Sequence, residues 1–226
     1  TVGTNTLTSS GNSYTGGNTI TGGTLQVVTT SSLGATTNNL SISGNGTLDL
    51  QTGTQAQGAV TVNGGNIISG TLTNSGITFT GGSNNITAAL AGAGGLTNAS
   101  GSTTLTGTNT YSGGTVVNGG SLNVSGNGTL GSTSGTTTIN DSTLDLGTTT
   151  QTQALVSLSN GIATNGTFNN TAILGNGGSN TTATALIGTS SVTNTVGTNT
   201  LTSSGNSYTG GNTITGGTLQ VATTSS

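Results

Sequence analysis

The chain repeats itself at long range, and this repetition restricts its fold more than any other feature. Residues 1–32 return as residues 195–226 with a single difference, Val28 in the first copy against Ala222 in the last. One long period therefore runs from Thr1 to the residue before Thr195. Repetition at this scale is typical of solenoids and other arrays, in which each unit packs against its neighbours in sequence.

A shorter period, half as long, lies inside the long one. The segment "YTGGNTITGGTLQV" begins at Tyr14, "YSGGTVVNGGSLNV" begins at Tyr111, and the first version returns at Tyr208. We therefore divide the chain into two half-repeats and the start of the next 194-residue unit, and we expect a segment of a longer, continuous array. The boundaries are residues 1–97, 98–194 and 195–226.

Within the half-repeats, apolar residues alternate with polar ones. In "TLQV", for example, Leu25 and Val27 share one side of the segment and Gln26 faces the other. Alternation with period two predicts short β-strands, and the Gly-Gly, Gly-Asn and Asn-Gly pairs between them predict tight corners. No segment has apolar residues at helical spacing, so we expect an all-β protein without helices.

The scarcity of aromatic residues favours a solenoid over a β-sandwich. Each half-repeat has one Tyr and one Phe, Tyr14 and Phe79 in the first, Tyr111 and Phe168 in the second. We predict a right-handed parallel β-helix of about 20–24 residues per coil, with four to five coils per half-repeat and a rise of roughly 40–48 Å per long period. Disorder is the less favoured alternative, because net charge is low and the apolar residues are regularly placed.

Composition excludes several functions. The chain has no Lys, Arg, His, Glu or Cys, and its charged residues are Asp49, Asp141 and Asp145. Without cations it cannot bind nucleic acid by releasing counterions, and no apolar run approaches the length of a transmembrane segment. Zinc would need His or Cys, and calcium would need several carboxylates. We therefore expect no catalytic residue, metal or cofactor, and hence not an enzyme.

Two carboxylate arrangements could in principle form sites. Asp49 and Asp145 occupy equivalent "TLDL" segments, where alternation turns both outward to solvent. Asp141 and Asp145 would share a strand face if the strand were continuous, as in the carboxylate pair of a glycosidase. The first half-repeat has Asn45 in place of Asp141, so we do not favour this pair.

The tyrosines have two interpretations. Tyr14, Tyr111 and Tyr208 could form exposed platforms for sugars, or they could pack beside the Gly-Gly corners with the hydroxyl hydrogen-bonded. We favour packing, and we expect Phe79 and Phe168 to fill the core.

The segments "NTLTSSGNSYTGGNTITGGTLQV" and "TTLTGTNTYSGGTVVNGGSLNV" resemble the passenger-associated, autotransporter-type β-strand repeat. The resemblance covers Leu7–Val27, Leu105–Val124 and Leu201–Val221. It implies a right-handed β-helical stalk that is secreted and displayed on a bacterial cell surface. The motif residues, which we expect to be structural, are Tyr14, Gly16, Gly17, Leu25, Val27, Tyr111, Gly113, Gly114, Leu122, Val124 and Tyr208.

We therefore expect a structural extracellular stalk or fibre that is uncharged and resists proteases and changes of pH. Its expected partners are further copies of itself, joined end to end or laterally. The alternative is an adhesin or other binding module on a β-helical passenger, with a glycan or host surface as ligand. Ice is a less favoured ligand, because Thr-x-Thr segments such as Thr4–Thr6 and Thr71–Thr73 are irregularly spaced.

Overall fold

The structure is a computed structural model that describes residues 3–222. It contains 25 strands, and no helix occurs among the described residues. Most strands are short, because Gly and Asn interrupt them every few residues. At many of these corners the backbone adopts positive φ, a conformation that Gly and Asn tolerate better than other residues. Local sequence therefore fixes where the chain bends.

The strands form three parallel faces of a coil that runs the length of the described chain. Face A contains β1 (Thr4–Leu7), β3 (Thr24–Val27), β5 (Thr47–Asp49), β7 (Asn66–Ile68), β9 (Ser83–Ile86), β12 (Ser102–Leu105), β14 (Ser121–Val124), β16 (Thr143–Asp145), β19 (Ile162–Thr164), the C-terminal parts of β21 (Ala172–Thr182) and β23 (Ser191–Leu201), and β25 (Thr218–Val221).

Face B precedes face A in each coil. It contains β2 (Asn18–Ile20), β4 (Leu40–Ser43), the C-terminal parts of β6 (Thr54–Asn63) and β8 (Thr71–Gly81), β11 (Leu96–Asn98), β13 (Thr115–Val117), β15 (Thr136–Asn140), β18 (Leu155–Ser159), the N-terminal parts of β21 and β23, and β24 (Asn212–Ile214).

Face C closes the coil and is the least regular. It contains the N-terminal parts of β6 and β8, β10 (Ala89–Ala91), β17 (Thr150–Gln151), β20 (Thr167–Asn169) and β22 (Ala185–Ile187). In the coils that carry a tyrosine, a loop replaces the strand on this side.

Every strand pairs in parallel with the strand one coil away. This confirms the predicted all-β parallel β-solenoid, which makes about 11 turns. The coils differ in length: the pairing of Val60 with Ile77 spans a short coil, and the pairing of Thr24 with Thr47 spans a long one. The commonest step is intermediate, as from Asn66 to Asn85. It is slightly shorter than predicted, because short strands and tight glycine corners already close the turn.

The coil count agrees with the sequence periods. On face A, β3 and β14 are five pairings apart, and β1 and β23 are ten pairings apart. One long period therefore makes ten coils. At ~4.8 Å between strands, ten coils rise ~48 Å. Residues 97 and 194 fall within β11 and β23, so the predicted boundaries mark sequence periods inside one continuous solenoid.

The core consists of inward residues stacked coil upon coil. Leu122 lies on Leu144, and both side chains are fully buried. Phe79 and Phe168 are also fully buried, but Phe79 projects from face B and Phe168 from face C. Small aliphatic side chains suffice because the opposing faces of a coil lie close together. Within residues 3–222, no helix is long and apolar enough to cross a membrane.

Candidate functional site

Each tyrosine motif occupies the coil side that lacks a strand. Tyr111 is 1% exposed, and its hydroxyl shares a 2.7 Å hydrogen bond with the hydroxyl of Thr115. Burial raises the pKa of Tyr111 well above its ordinary value, and the bond to Thr115 opposes this only in part. Tyr111 is therefore a packed core residue.

Tyr14 and Tyr208 make an equivalent hydroxyl hydrogen bond, but their rings are more exposed than that of Tyr111. The Tyr14 hydroxyl donates to Asn18 Oδ1 and the Tyr208 hydroxyl donates to Asn212 Oδ1, each at 2.7 Å. Tyr14 is 41% exposed, and its pKa is raised by partial burial, against the smaller effect of Asn18. Tyr14 lies in the first described coil and Tyr208 in the last, so the structure describes a neighbouring coil on one side of each.

A glycine in the following coil lies against each tyrosine that has such a coil. A Cβ on Gly131 would lie 2.7 Å from Tyr111 Cε2, and a Cβ on Gly34 would lie 2.8 Å from Tyr14 Cε2. Both glycines adopt positive φ. Each follows a buried leucine, Leu33 or Leu130. The "LG" pair recurs at the same distance after both tyrosines, and this signal for the contact was missed in the sequence.

The predicted corner glycines adopt the conformations that their positions require. Gly17 and Gly114 have φ of 75° and 81°. A Cβ on Gly113 would meet the backbone of Gly95 in the preceding coil, whereas Gly16 has open space because it lies in the first described coil. The first glycine of each pair thus allows close stacking, and the second allows the turn.

The apolar motif residues face the core. Val27, Leu122 and Val124 are buried, whereas Leu25 is half-buried because its neighbour on one side is Asn5 of the first coil. The motif residues are therefore structural in their placement.

Buried glutamines support the loops on the strandless side. Gln55 Oε1 accepts the Leu33 N–H at 3.0 Å, and Gln151 Oε1 accepts the Leu130 N–H at 3.0 Å. Gln151 Nε2 also donates to the Gly128 carbonyl at 2.9 Å. The side-chain amides thus replace the backbone partners that a neighbouring strand would provide. The recurring "TQAQ" and "TQTQ" segments carry these residues, which were not identified from the sequence.

The three carboxylates do not form a joint site. β15 ends at Asn140 and β16 begins at Thr143, so the strand continuity required for an Asp141–Asp145 pair does not exist. Asp141 accepts a hydrogen bond from Asn160, whereas Asp145 accepts bonds from Asn165 and the Gly147 N–H. Among residues 3–222, no three acidic or other metal-binding side chains are grouped.

Asp49 stabilises a turn rather than pointing freely to solvent. Its carboxylate accepts the Gln51 N–H at 2.9 Å, the Gln51 side chain at 2.7 Å and the Gln26 side chain at 3.2 Å. Partial burial acts to raise the pKa of Asp49, but these hydrogen bonds outweigh it and hold the pKa below its ordinary value. Its equivalent, Asp145, caps the same turn through Gly147.

Stacking also aligns outward hydroxyls that are not connected in the sequence. We call this set of stacked positions on face B the hydroxyl row. It has eleven positions, one in each coil, and nine of them are Thr or Ser. The positions are Thr19, Ser41, Thr61, Thr78, Thr97, Val116, Thr138, Ser157, Leu174, Thr193 and Thr213.

The Thr-x-Thr segments noted in the sequence do not belong to the hydroxyl row. Thr4 and Thr6 lie on face A, and Thr71 and Thr73 lie on face C. The row could not be recognised in the sequence because its spacing is uneven. The step from Thr61 to Thr78, for example, is shorter than the step from Thr19 to Ser41.

Comparison with known proteins agrees with the repeat structure. A family model described as passenger-associated-transport-repeat matches residues 2–27, 100–124 and 196–221. Each match covers one complete turn, from a face A strand through the tyrosine loop and face B to the next face A strand. No curated protein and no solved structure matches the chain. The three segments that are similar to the passenger-associated-transport-repeat are therefore spaced five coils apart in a parallel β-solenoid.

Proposed function

We propose that the chain is a segment of a secreted stalk that holds a distal part of its protein away from a bacterial cell surface. The observation that carries the proposal is the occurrence of three passenger-type repeats at a spacing of five coils in one continuous solenoid. Because coils add along one axis, length grows in proportion to the number of repeats.

The surface chemistry supports this role. Three carboxylates are the only ionisable side chains besides three tyrosines, so few groups can couple folding to pH. The absence of Lys and Arg leaves no site for trypsin. Asp49 and Asp145 accept hydrogen bonds within turns, and Asp141 accepts one from Asn160 of the next coil, which supports a structural role without catalysis.

Localisation tests the proposal directly. Antibodies against the purified chain should label intact cells of the source organism, with gold particles on extended surface material outside the cell envelope. Labelling that requires lysis of the cells would contradict the proposal. Trypsin treatment of intact cells should leave the labelled segment uncut, whereas a protease of broad specificity provides the positive control for access.

Adhesion through the hydroxyl row is the second candidate. The row presents Thr and Ser at a regular ~4.8 Å spacing on an uncharged face, which suits a polymer rich in hydroxyl groups. Purified chain should then retain labelled polysaccharide at high salt. Replacing the central pair Thr78 and Thr97 by Val should weaken retention, whereas replacing Thr104 on face A should not. Equal retention by both variants would contradict adhesion through this row.

A further inference from the structure

A continuous chain of hydrogen bonds runs through the interior at the first junction, where the first half-repeat meets the second. The Gly65 N–H donates to Asn84 Oδ1 at 3.3 Å, and Asn84 Nδ2 donates to Thr103 Oγ1 at 3.1 Å. The Thr103 hydroxyl donates to Asn98 Oδ1 at 2.7 Å, and Asn98 Nδ2 donates to the Gly119 carbonyl at 2.7 Å. Successive coils are thus linked from inside the corner between faces B and A.

The second junction, where the second half-repeat meets the next unit, keeps both ends of this chain. Asn180, the equivalent of Asn84, accepts the Gly161 N–H at 3.1 Å. Asn194, the equivalent of Asn98, donates to the Gly216 carbonyl at 2.9 Å. The equivalent Asn side chains therefore make the same hydrogen bonds to the backbone in both places.

The middle of the chain differs because Asn199 replaces Thr103. Asn194 Oδ1 and Asn199 Nδ2 have no hydrogen-bond partner among the described residues, although both side chains are fully buried. An unsatisfied buried polar atom costs ~1–3 kcal/mol, so two of them in one place indicate a further partner.

The two unpartnered atoms face the same point. Gly175 stands where the first half-repeat has Phe79, and the amides of Asn194 and Asn199 pack into the space that a side chain would fill. A Cβ on Gly175 would lie 2.5 Å from Asn194 Oδ1 and 3.2 Å from Asn199 Nδ2. The two unpartnered atoms therefore lie close to one point, near enough to each other for a single small group to bridge them.

We propose that Asn194 and Asn199 bind one buried water molecule over Gly175. The water donates one hydrogen to Asn194 Oδ1 and accepts one from Asn199 Nδ2. It thereby restores the link that the Thr103 hydroxyl makes at the first junction. Buried waters commonly satisfy interior polar groups in this way, at about one per 27 residues.

A crystal structure of the chain that resolves interior waters tests the site. We expect a density peak at ~2.7–3.2 Å from both Asn194 Oδ1 and Asn199 Nδ2. A direct hydrogen bond between the two amides, with no peak beside Gly175, would overturn the proposal.

A reciprocal pair of variants tests the same site in solution. Asn199→Thr gives the second junction the residue that the first junction has, so a hydroxyl should reach Asn194 Oδ1 and displace the water. Magnetic relaxation dispersion of water should then show one fewer long-lived water molecule, and the melting temperature should rise. Thr103→Asn should lower the melting temperature, because Asn98 Oδ1 loses its donor in a site that Phe79 keeps closed. If Asn199→Thr leaves the number of long-lived waters unchanged, the assignment is wrong.

Discussion

At the scale of single residues, the tyrosine and the glycine of the next coil act as a pair. The ring of Tyr111 fills the side of the coil that lacks a strand, and it packs against Gly131 of the next coil. The sequence motif predicted the packed tyrosine. The motif did not identify the glycine, whose signal is the "LG" pair that recurs at the same distance after Tyr14 and Tyr111.

Gly131→Ala should therefore destabilise the chain more than a matched substitution in an open turn. Gly131 and Gly126 have φ of 79° and 60°, so Ala at either position incurs the left-handed strain of ~1–2 kcal/mol. At Gly131 the new Cβ would also lie 2.5 Å from the Tyr111 carbonyl, which adds ~1–3 kcal/mol, whereas Gly126 has its nearest neighbour at 3.9 Å. Chemical denaturation measures the free energy of unfolding of both Ala variants. An equal decrease in the two variants would show that the Tyr111 contact is unimportant.

Ionisation of single residues sets the pH range of stability. The pKa of Tyr111 is raised in the folded state, so its contribution is complete below the unfolded value of ~10 and is lost as the pH rises further. The pKa of Asp49 is lowered, so its contribution is present above ~3.9 and is lost as the pH falls.

The melting temperature should therefore be constant between about pH 5 and pH 9. We expect variation within ~4 °C, which corresponds to ~1 kcal/mol in a chain of this size, and a decline above about pH 10. Tyr111→Phe should remove most of the alkaline decline, whereas Tyr14→Phe at the exposed equivalent should not. A shift of tens of degrees between pH 5 and pH 9 would contradict this account.

At the scale of strands and loops, inward amides replace missing strands. Gln151 bonds both the Leu130 N–H and the Gly128 carbonyl inside the coil. The "TQTQ" segment contains only polar residues, which composition alone would assign to solvent. Which side of a strand is inward depends on how the coils stack, so these buried glutamines could not be predicted from one segment alone.

Gln151→Leu should test this support with little change in side-chain volume. It leaves a buried N–H and a buried carbonyl without partners, at a cost of ~2–5 kcal/mol. The same change at exposed Gln220 should shift the free energy of unfolding by less than ~0.5 kcal/mol. Hydrogen exchange should show lost protection at the Leu130 amide; unchanged protection would contradict the role given to Gln151.

At the scale of the whole molecule, the class of fold and the nesting of its repeats could be predicted from the sequence. The alternation of "TLQV" and "TLDL" identified strands, and the glycine pairs identified corners. The predicted coil length was slightly too long, because the number of residues in each corner depends on backbone conformations such as the positive φ of Gln51 and Ser69. The hydroxyl row and the interior amide chain exist only after stacking aligns coils of unequal length.

The central claim is that the repeats stack as one solenoid with ten coils in each long period. X-ray fibre diffraction from aligned arrays of the repeat tests it most directly. We predict a ~4.8 Å reflection on the meridian, because the strands lie across the fibre axis, together with an axial period of ~48 Å. A ~4.8 Å reflection away from the meridian, as expected for separate sandwich domains joined in a string, would contradict the account.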